Sequence, residues 1–244
     1  AIGIDILMPE PDRVAPAAIH ELTGADLSQL KAILPDGDQI LAKALKRDNI
    51  VSGFGLLPYE KGNPSVLPQS VATIGFHPHA ILTAPGILHN TPALNVTNAA
   101  GFVSLSLDDD QIIRRIPLVV RYHDQIIPSL SLEMLRVAQA KHTQQGHVLR
   151  LAGQAGDPVA LIRTGQIITS INERGLITLH HGLSKHFPRL SAAAILNKDP
   201  SLWADQINGA LVVIGSSATG LKDHHATPLE ASIAGPYLHL GVLA

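Results

Sequence analysis

The sequence predicts an α/β fold: one domain over residues 1–244, with a mixed, mainly parallel sheet, flanking helices and an antiparallel hairpin. Three observations predict it. The chain opens strand, helix, strand, the unit that builds parallel sheets. An apolar segment in the middle reads as a hairpin. Near the end, the run Ala210 to Ile214 feeds directly into a Gly-Ser turn, as core strands of many α/β proteins do.

Taken in order, Ala1 to Leu7 is apolar and β-branched, interrupted by Asp5, and reads as a buried strand. MPEPDR follows, a turn signature with two prolines. From Ala15 to Arg47 the pattern is helical. Ile40, Leu41, Ala44 and Leu45 recur at a spacing of ~3.6 residues, with Asp36 and Asp38 available as caps. Ile50 to Leu57 is the next strand. Residues 58–98, rich in Pro, Gly, Asn and His with only short runs such as VATIGF, read as a long excursion over the surface. GFVSLSL and IIRRIPLVVRY then flank Asp108, Asp109, Asp110 and Gln111, which predicts the hairpin. IIPSLSLEMLRVAQAK is an amphipathic helix with a Pro-Ser start. HVLRLAG, VALIRTG, QIITSI and LITLHH are short strand candidates split by Gly, Asn and Asp, and FPRLSAAAILN reads as a short helix.

A chain of 244 residues can bury a substantial core. Charged residues make up 16%, below the typical ~25%, so the surface is rich in uncharged polar side chains. A net charge of -2 gives no sign of a nucleic-acid partner or a polybasic membrane patch. With Cys 0, thiol catalysis, disulfides and cysteine zinc clusters are excluded. The 13 histidines read as ordinary surface and core usage, with metal or pH sensing left open. No stretch approaches the ~20 apolar residues of a membrane-spanning helix, and no leader pattern is present. The chain opens on AIGIDIL without methionine and ends on LHLGVLA without a polar tail, which reads as a piece trimmed from a longer protein.

The segment from Leu211 to Leu229, LVVIGSSATGLKDHHATPL, concentrates the chemistry. Gly215-Ser216-Ser217-Ala218-Thr219-Gly220 offers backbone N–H groups to an anion, but a phosphate loop needs a helix straight afterwards and a lysine that this turn lacks. A nucleophile elbow needs glycine where Thr219 stands. His224, His225 and His239 are candidate bases, with Asp223 to orient one. Asp223-His224-His225 is similar to the acid-His-His signature of two-metal phosphoesterases, with Asp5 as a further carboxylate, yet the other aspartate-bearing loops are not evident. His77-Pro78-His79 and His180-His181 lack a third ligand at recognisable spacing. The acidic run Asp108–Asp110 fits a turn, in which Asp bonds its own backbone, before it fits a calcium site. Arg114 and Arg115 point to opposite faces of the strand that follows. One of them is expected to pair with an acid, and Arg114 is either structural or a holder of an anionic ligand.

Four blocks, in order, resemble the second class of CHASE domains, the extracellular sensory domains associated with cyclases and histidine kinases. AIGIDILMPEPDR is similar to that family's early strand and Glu-Pro-Asp turn. AAGFVSLSLDDDQIIRRIPLVVR is similar to its hairpin, except that Gln111 stands where the family usually has Gly. IPSLSLEML and FPRLSAAAIL resemble its helix starts. ALVVIGSSATGLKDHHATPL with GPYLH resembles its Gly-x-Ser-Ala turn, Asp, Thr-Pro and closing His, although Pro236 is displaced and Leu240 replaces an Ala. The family usually carries a further strand and helix before the first block.

The resemblance implies a membrane-anchored bacterial receptor, with this domain on the periplasmic side of the inner membrane and transmembrane helices flanking it. The output module is a cyclase, a diguanylate cyclase or a kinase. The domain itself is then a sensor without turnover, metal or cofactor, which binds a small-molecule or protein signal, pairs as a homodimer in the full-length receptor and binds no nucleic acid. Ligand contacts are expected from loops at strand ends, where open α/β sheets place their crevices. Asp5, Arg114, Ser216, Ser217 and Asp223 are the candidates. Asp5 and Asp223 each lie at or just beyond the end of a predicted core strand, so the two can meet. The alternative is a metal-dependent phosphoesterase-like hydrolase built on Asp223, His224 and His225.

Overall fold

The computed structural model describes residues 1–244 except 25–33, 64–66, 68–69, 75–79, 106–107, 109, 141–148, 154–158, 181, 183–186, 198 and 219–222. The chain runs β1 (Ile2–Asp5), α1 (Pro16–Thr23), α2 (Gly37–Leu45), β2 (Ile50–Leu57), β3 (Ala72–Ile74), β4 (Gly86–Leu88), β5 (Ala100–Phe102), β6 (Arg115–Pro117), β7 (Val119–Tyr122), β8 (Gln125–Pro128) and α3 (Leu130–Ala140). It continues through β9 (Arg150–Ala152), β10 (Val159–Thr164), β11 (Ile167–Asn172), β12 (Leu176–Thr178), α4 (Ala192–Asn197), α5 (Ala204–Ile207), β13 (Val212–Gly215), β14 (His224–His225), β15 (Ile233–Ala234) and α6 (Gly235–Leu243).

Among the described residues the central sheet has five strands. β13, β1, β2 and β5 are parallel, and β4 pairs antiparallel with the far half of β2. The fold is therefore α/β with a mixed, mainly parallel sheet. Helices cover both faces, as a parallel sheet buried on both sides requires. Strand alternation decides which residue meets which helix. Ile2 and Ile4 pack with Ala42 and Leu45 of α2, while Val51 of β2 packs with Leu130, Met134 and Val137 of α3. Gly3 lies on the α3 face, where a Cβ would collide with Met134, so its missing side chain lets the helix sit close. Asp5 follows on that same face, at the tip of β1. α6 packs on α3 and β13, which brings it to the same tip.

A second sheet of β11, β10, β9 and β3 packs its buried face, Ala160, Ile162, Leu151 and Ile171, against Leu132 of α3. α3 thus lies between two apolar clusters, and its first turns are buried on every side, Glu133 included. The Glu133 carboxylate is 0% exposed and takes a bidentate bond from Arg136 at 2.6 and 2.8 Å.

The structure departs from the sequence reading in four places. The helical stretch 15–47 is divided: α1 ends at Gly24 in the left-handed conformation at φ 70, and α2 starts afresh on Asp36, whose side chain accepts from Gln39 N. The run 58–98 is more than a surface excursion: its described residues supply β3 and β4 and bury Ile81, Ile87, Asn90 and Leu94. The sheet is not single. Among the described residues the expected hairpin across Asp108–Gln111 is not formed: β5 pairs with β2 and β6 with β12, while two-residue hairpins join β7 to β8 and β10 to β11. The turn itself exists, with Gln111 N donating to the Asp108 carbonyl at 2.8 Å and Gln111 at φ 62. An apolar run marks a strand without naming its partner, and the flanks diverge to two different neighbours.

Candidate functional site

Asp5 and Gly215 are register partners at the carboxyl ends of β1 and β13, the end of a parallel sheet where crevices open. Pro236, in the first turn of α6, lies over Gly215 at a place where any side chain on that residue would collide with it. α6 therefore starts directly above the strand tips and carries His239 down between them.

His239 is 2% exposed, a histidine inside an otherwise apolar helix, and its ring needs partners. Ser131 of α3 supplies one: its Oγ lies 3.2 Å from Nδ1 and donates to the His239 carbonyl at 3.1 Å. On the other side, Nε2 lies 3.8 Å from Asp5 Oδ1. The Asp5 side chain is 8% exposed, and its Oδ2 is buried without a hydrogen-bond partner among the described residues.

Burial pushes the Asp5 carboxyl up to about 7; the nearby Asp223 charge adds to the rise and His225 opposes it. Burial likewise pulls His239 down to about 4, against the Asp223 charge and a backbone hydrogen bond to Val103, while His225 adds to the fall. Both groups thus escape the cost of a buried charge by becoming neutral.

Asp223 joins this cluster from the loop after β13. Its Oδ1 lies 3.1 Å from His225 Nε2, and its carbonyl accepts from Gly235 N at 3.1 Å. A side chain at Gly235 would run into the Asp223 carboxylate. That carboxylate therefore sits against the first turn of α6, where unpaired N–H groups and the helix dipole favour negative charge.

The candidate residues separate into groups. Asp5 and Asp223 act on each other electrostatically and share His225 and His239. Ser217 lies close by, its carbonyl 3.4 Å from His224 Nε2. Ser216 closes a local turn, accepting from Ala218 N at 3.3 Å. Arg114 is held elsewhere: its guanidinium bonds Asp110 at 2.7 and 2.9 Å and Asp108 at 3.3 Å. Arg115 also reaches Asp108, at 3.1 Å, so both arginines pair with acids. The bond from Ile113 N to the Ala226 carbonyl ties this acidic turn to the residue that follows β14.

The Asp223-His224-His225 triplet does not converge. His224 and His225 are neighbours on β14 and project to opposite faces. His225 turns to Asp223, while His224 Nδ1 lies 2.9 Å from Ser232 Oγ. Among the described residues no group of three or more His, Asp or Glu is arranged to hold a metal ion. His77, His79, Asp109, His181, Thr219 and Gly220 lie outside the described residues.

The sequence reading missed Ser131 and used His239 only as a candidate base. The signal was present: a Ser and a His each inside an apolar helical run, where an unpaired polar group is costly.

Among the described residues no helix is long and apolar enough to cross a membrane. Neither a curated protein nor a solved structure matches the chain. The family model for the CHASE2 domain matches residues 1–244, the whole length, including every strand and helix that builds the tip cluster. The chain belongs to the CHASE2 family of extracellular sensory domains.

Proposed function

We propose that this domain is the periplasmic sensor of a bacterial receptor anchored in the inner membrane, and that it turns over no substrate itself. It detects a small-molecule or protein signal near the strand tips and passes the response through α6 to a cytoplasmic cyclase, diguanylate cyclase or kinase, in a receptor that works as a homodimer. One observation carries the reading: the strand-tip residue Asp5 is packed against His239 of α6. A signal that binds differently to two positions of α6 shifts the balance between them. Asp5, Asp223 and Ser217 are the residues through which such a signal acts. Arg114 and Ser216 support the loops beside them.

The test uses the full-length receptor in its membrane. Protease added to spheroplasts is expected to cleave the domain, and Asp5→Asn or His239→Gln is expected to change the output activity several-fold. Protection from external protease, or an output indifferent to both substitutions, contradicts the proposal.

A further inference from the structure

A cavity of about 340 Å³ opens beside the tip cluster, between α6, β14–β15 and the segment before α4. Its lining combines the apolar Phe187, Ile233 and Tyr237 with the polar Ser217, His224 and Ser232. Arg189 stands at its edge with its guanidinium 5.3 Å from the centre of the Tyr237 ring. A guanidinium held over an aromatic face by a cation–π contact can still donate from its N–H groups. Among the described residues Arg189 has no carboxylate partner. Glu230 also lines the cavity. His224 is fixed between the Ser217 carbonyl and the Ser232 hydroxyl.

We infer that this cavity binds a small molecule with a carboxylate on an apolar body. The carboxylate docks on the Arg189 fork and the serine hydroxyls, and the apolar body lies against Phe187 and Tyr237. The geometry favours this class because an arginine fork matches two carboxylate oxygens and the rings of Phe187 and Tyr237 line the same cavity. A bound carboxylate would touch Tyr237, two residues before His239 on α6, so occupancy reaches the helix that holds Asp5. The inference rests on the sensory reading only for its biological role, since binding is measurable on the isolated domain.

The probes are benzoate and hexanoate, with benzyl alcohol, benzylammonium and inorganic phosphate as comparisons, followed by calorimetric titration and thermal unfolding. The expected result is saturable binding of the two carboxylates with a rise in Tm, and no comparable effect of the three comparison compounds. Arg189→Ala is expected to weaken benzoate binding by about tenfold or more, because a charge-assisted contact is lost. Arg189→Lys, which keeps the charge without the fork, is expected to fall between. Arg189 is exposed, so the unliganded Tm of both variants should stay near that of the parent. Absence of saturable carboxylate binding overturns the inference. So does equal binding of benzyl alcohol, benzylammonium or phosphate, or benzoate binding unchanged in Arg189→Ala. Each of these outcomes leaves the receptor assay above as a separate test of the sensor.

Discussion

The Asp5 carboxyl and the His239 imidazole, 3.8 Å apart, have exchanged their usual order of acidity. The carboxyl is pushed up to about 7 and the imidazole pulled down to about 4, so the neutral pair dominates between those values. The pair links the tip of β1 to α6 without a buried charge.

This inversion predicts an unusual pH profile of stability. For Asp5 the folded pKa of about 7 lies above the ordinary 3.8, so its contribution is whole below pH 3.8 and is lost as pH rises to 7. For His239 the folded value of about 4 lies below the ordinary 6.5, so its contribution is whole above pH 6.5 and is lost as pH falls through 4. Between pH 4 and 6.5 the two slopes oppose each other, each at most about 1.4 kcal/mol per pH unit. Relative to the parent, Asp5→Asn is expected to gain stability as pH rises through that window, and His239→Gln to lose it. Urea denaturation at several pH values measures both slopes. Parallel profiles for all three proteins would refute the assignment.

The buried Glu133–Arg136 pair gives a second prediction. Arg136→Ala leaves the fully buried carboxylate uncompensated and is expected to cost about 3–5 kcal/mol. Replacing both residues by apolar ones of similar volume, Glu133→Leu with Arg136→Met, is expected to recover most of that loss. Chemical denaturation of the single and double variants distinguishes the two outcomes.

Gln111 occupies left-handed backbone at φ 62, where a side chain is strained. Gln111→Gly is expected to stabilise the domain by up to about 1 kcal/mol, the relief of strain being partly offset by the added freedom of the unfolded chain. The Arg114 bonds to Asp108 and Asp110 do not involve its side chain and should survive. A loss of stability would show that Gln111 contributes something beyond its turn.

Gly235→Ala is expected to destabilise by about 1–3 kcal/mol, because the added Cβ meets the Asp223 carboxylate at the start of α6. Thermal unfolding checks this, and Asp223→Ala in the same background should relieve part of the cost.

The periodic parts of the fold were legible in the sequence. β2 spans the run read as its strand, Ile50–Leu57, and β13 falls within two residues of its expected place, while α3 keeps the helical reading but starts at Leu130, Ile126–Pro128 belonging to β8. β9 to β12 match the four Gly-split candidates because each is a short run bounded by turn residues, and β10 to β12 are rich in β-branched residues. Pairing was not legible, as β5 and β6 show: their partners, β2 and β12, lie far away in sequence. The approach of Asp5 to Asp223 followed from strand ends alone. His239 and Ser131 escaped because their roles depend on how α3 and α6 pack on one face of the sheet, a tertiary fact with only a weak local trace. Arg189 and Tyr237 escaped for the same reason, since their stacking joins the segment before α4 to α6.

The most direct test is a carbon-13 NMR titration of the Asp5 carboxyl in the intact domain, with the His239 ring followed in the same samples. A midpoint near 7 for Asp5, with His239 neutral down to about 4, is the expected result. An Asp5 midpoint near 3.8 with His239 titrating near 6.5 would contradict an uncharged link between the strand tip and α6.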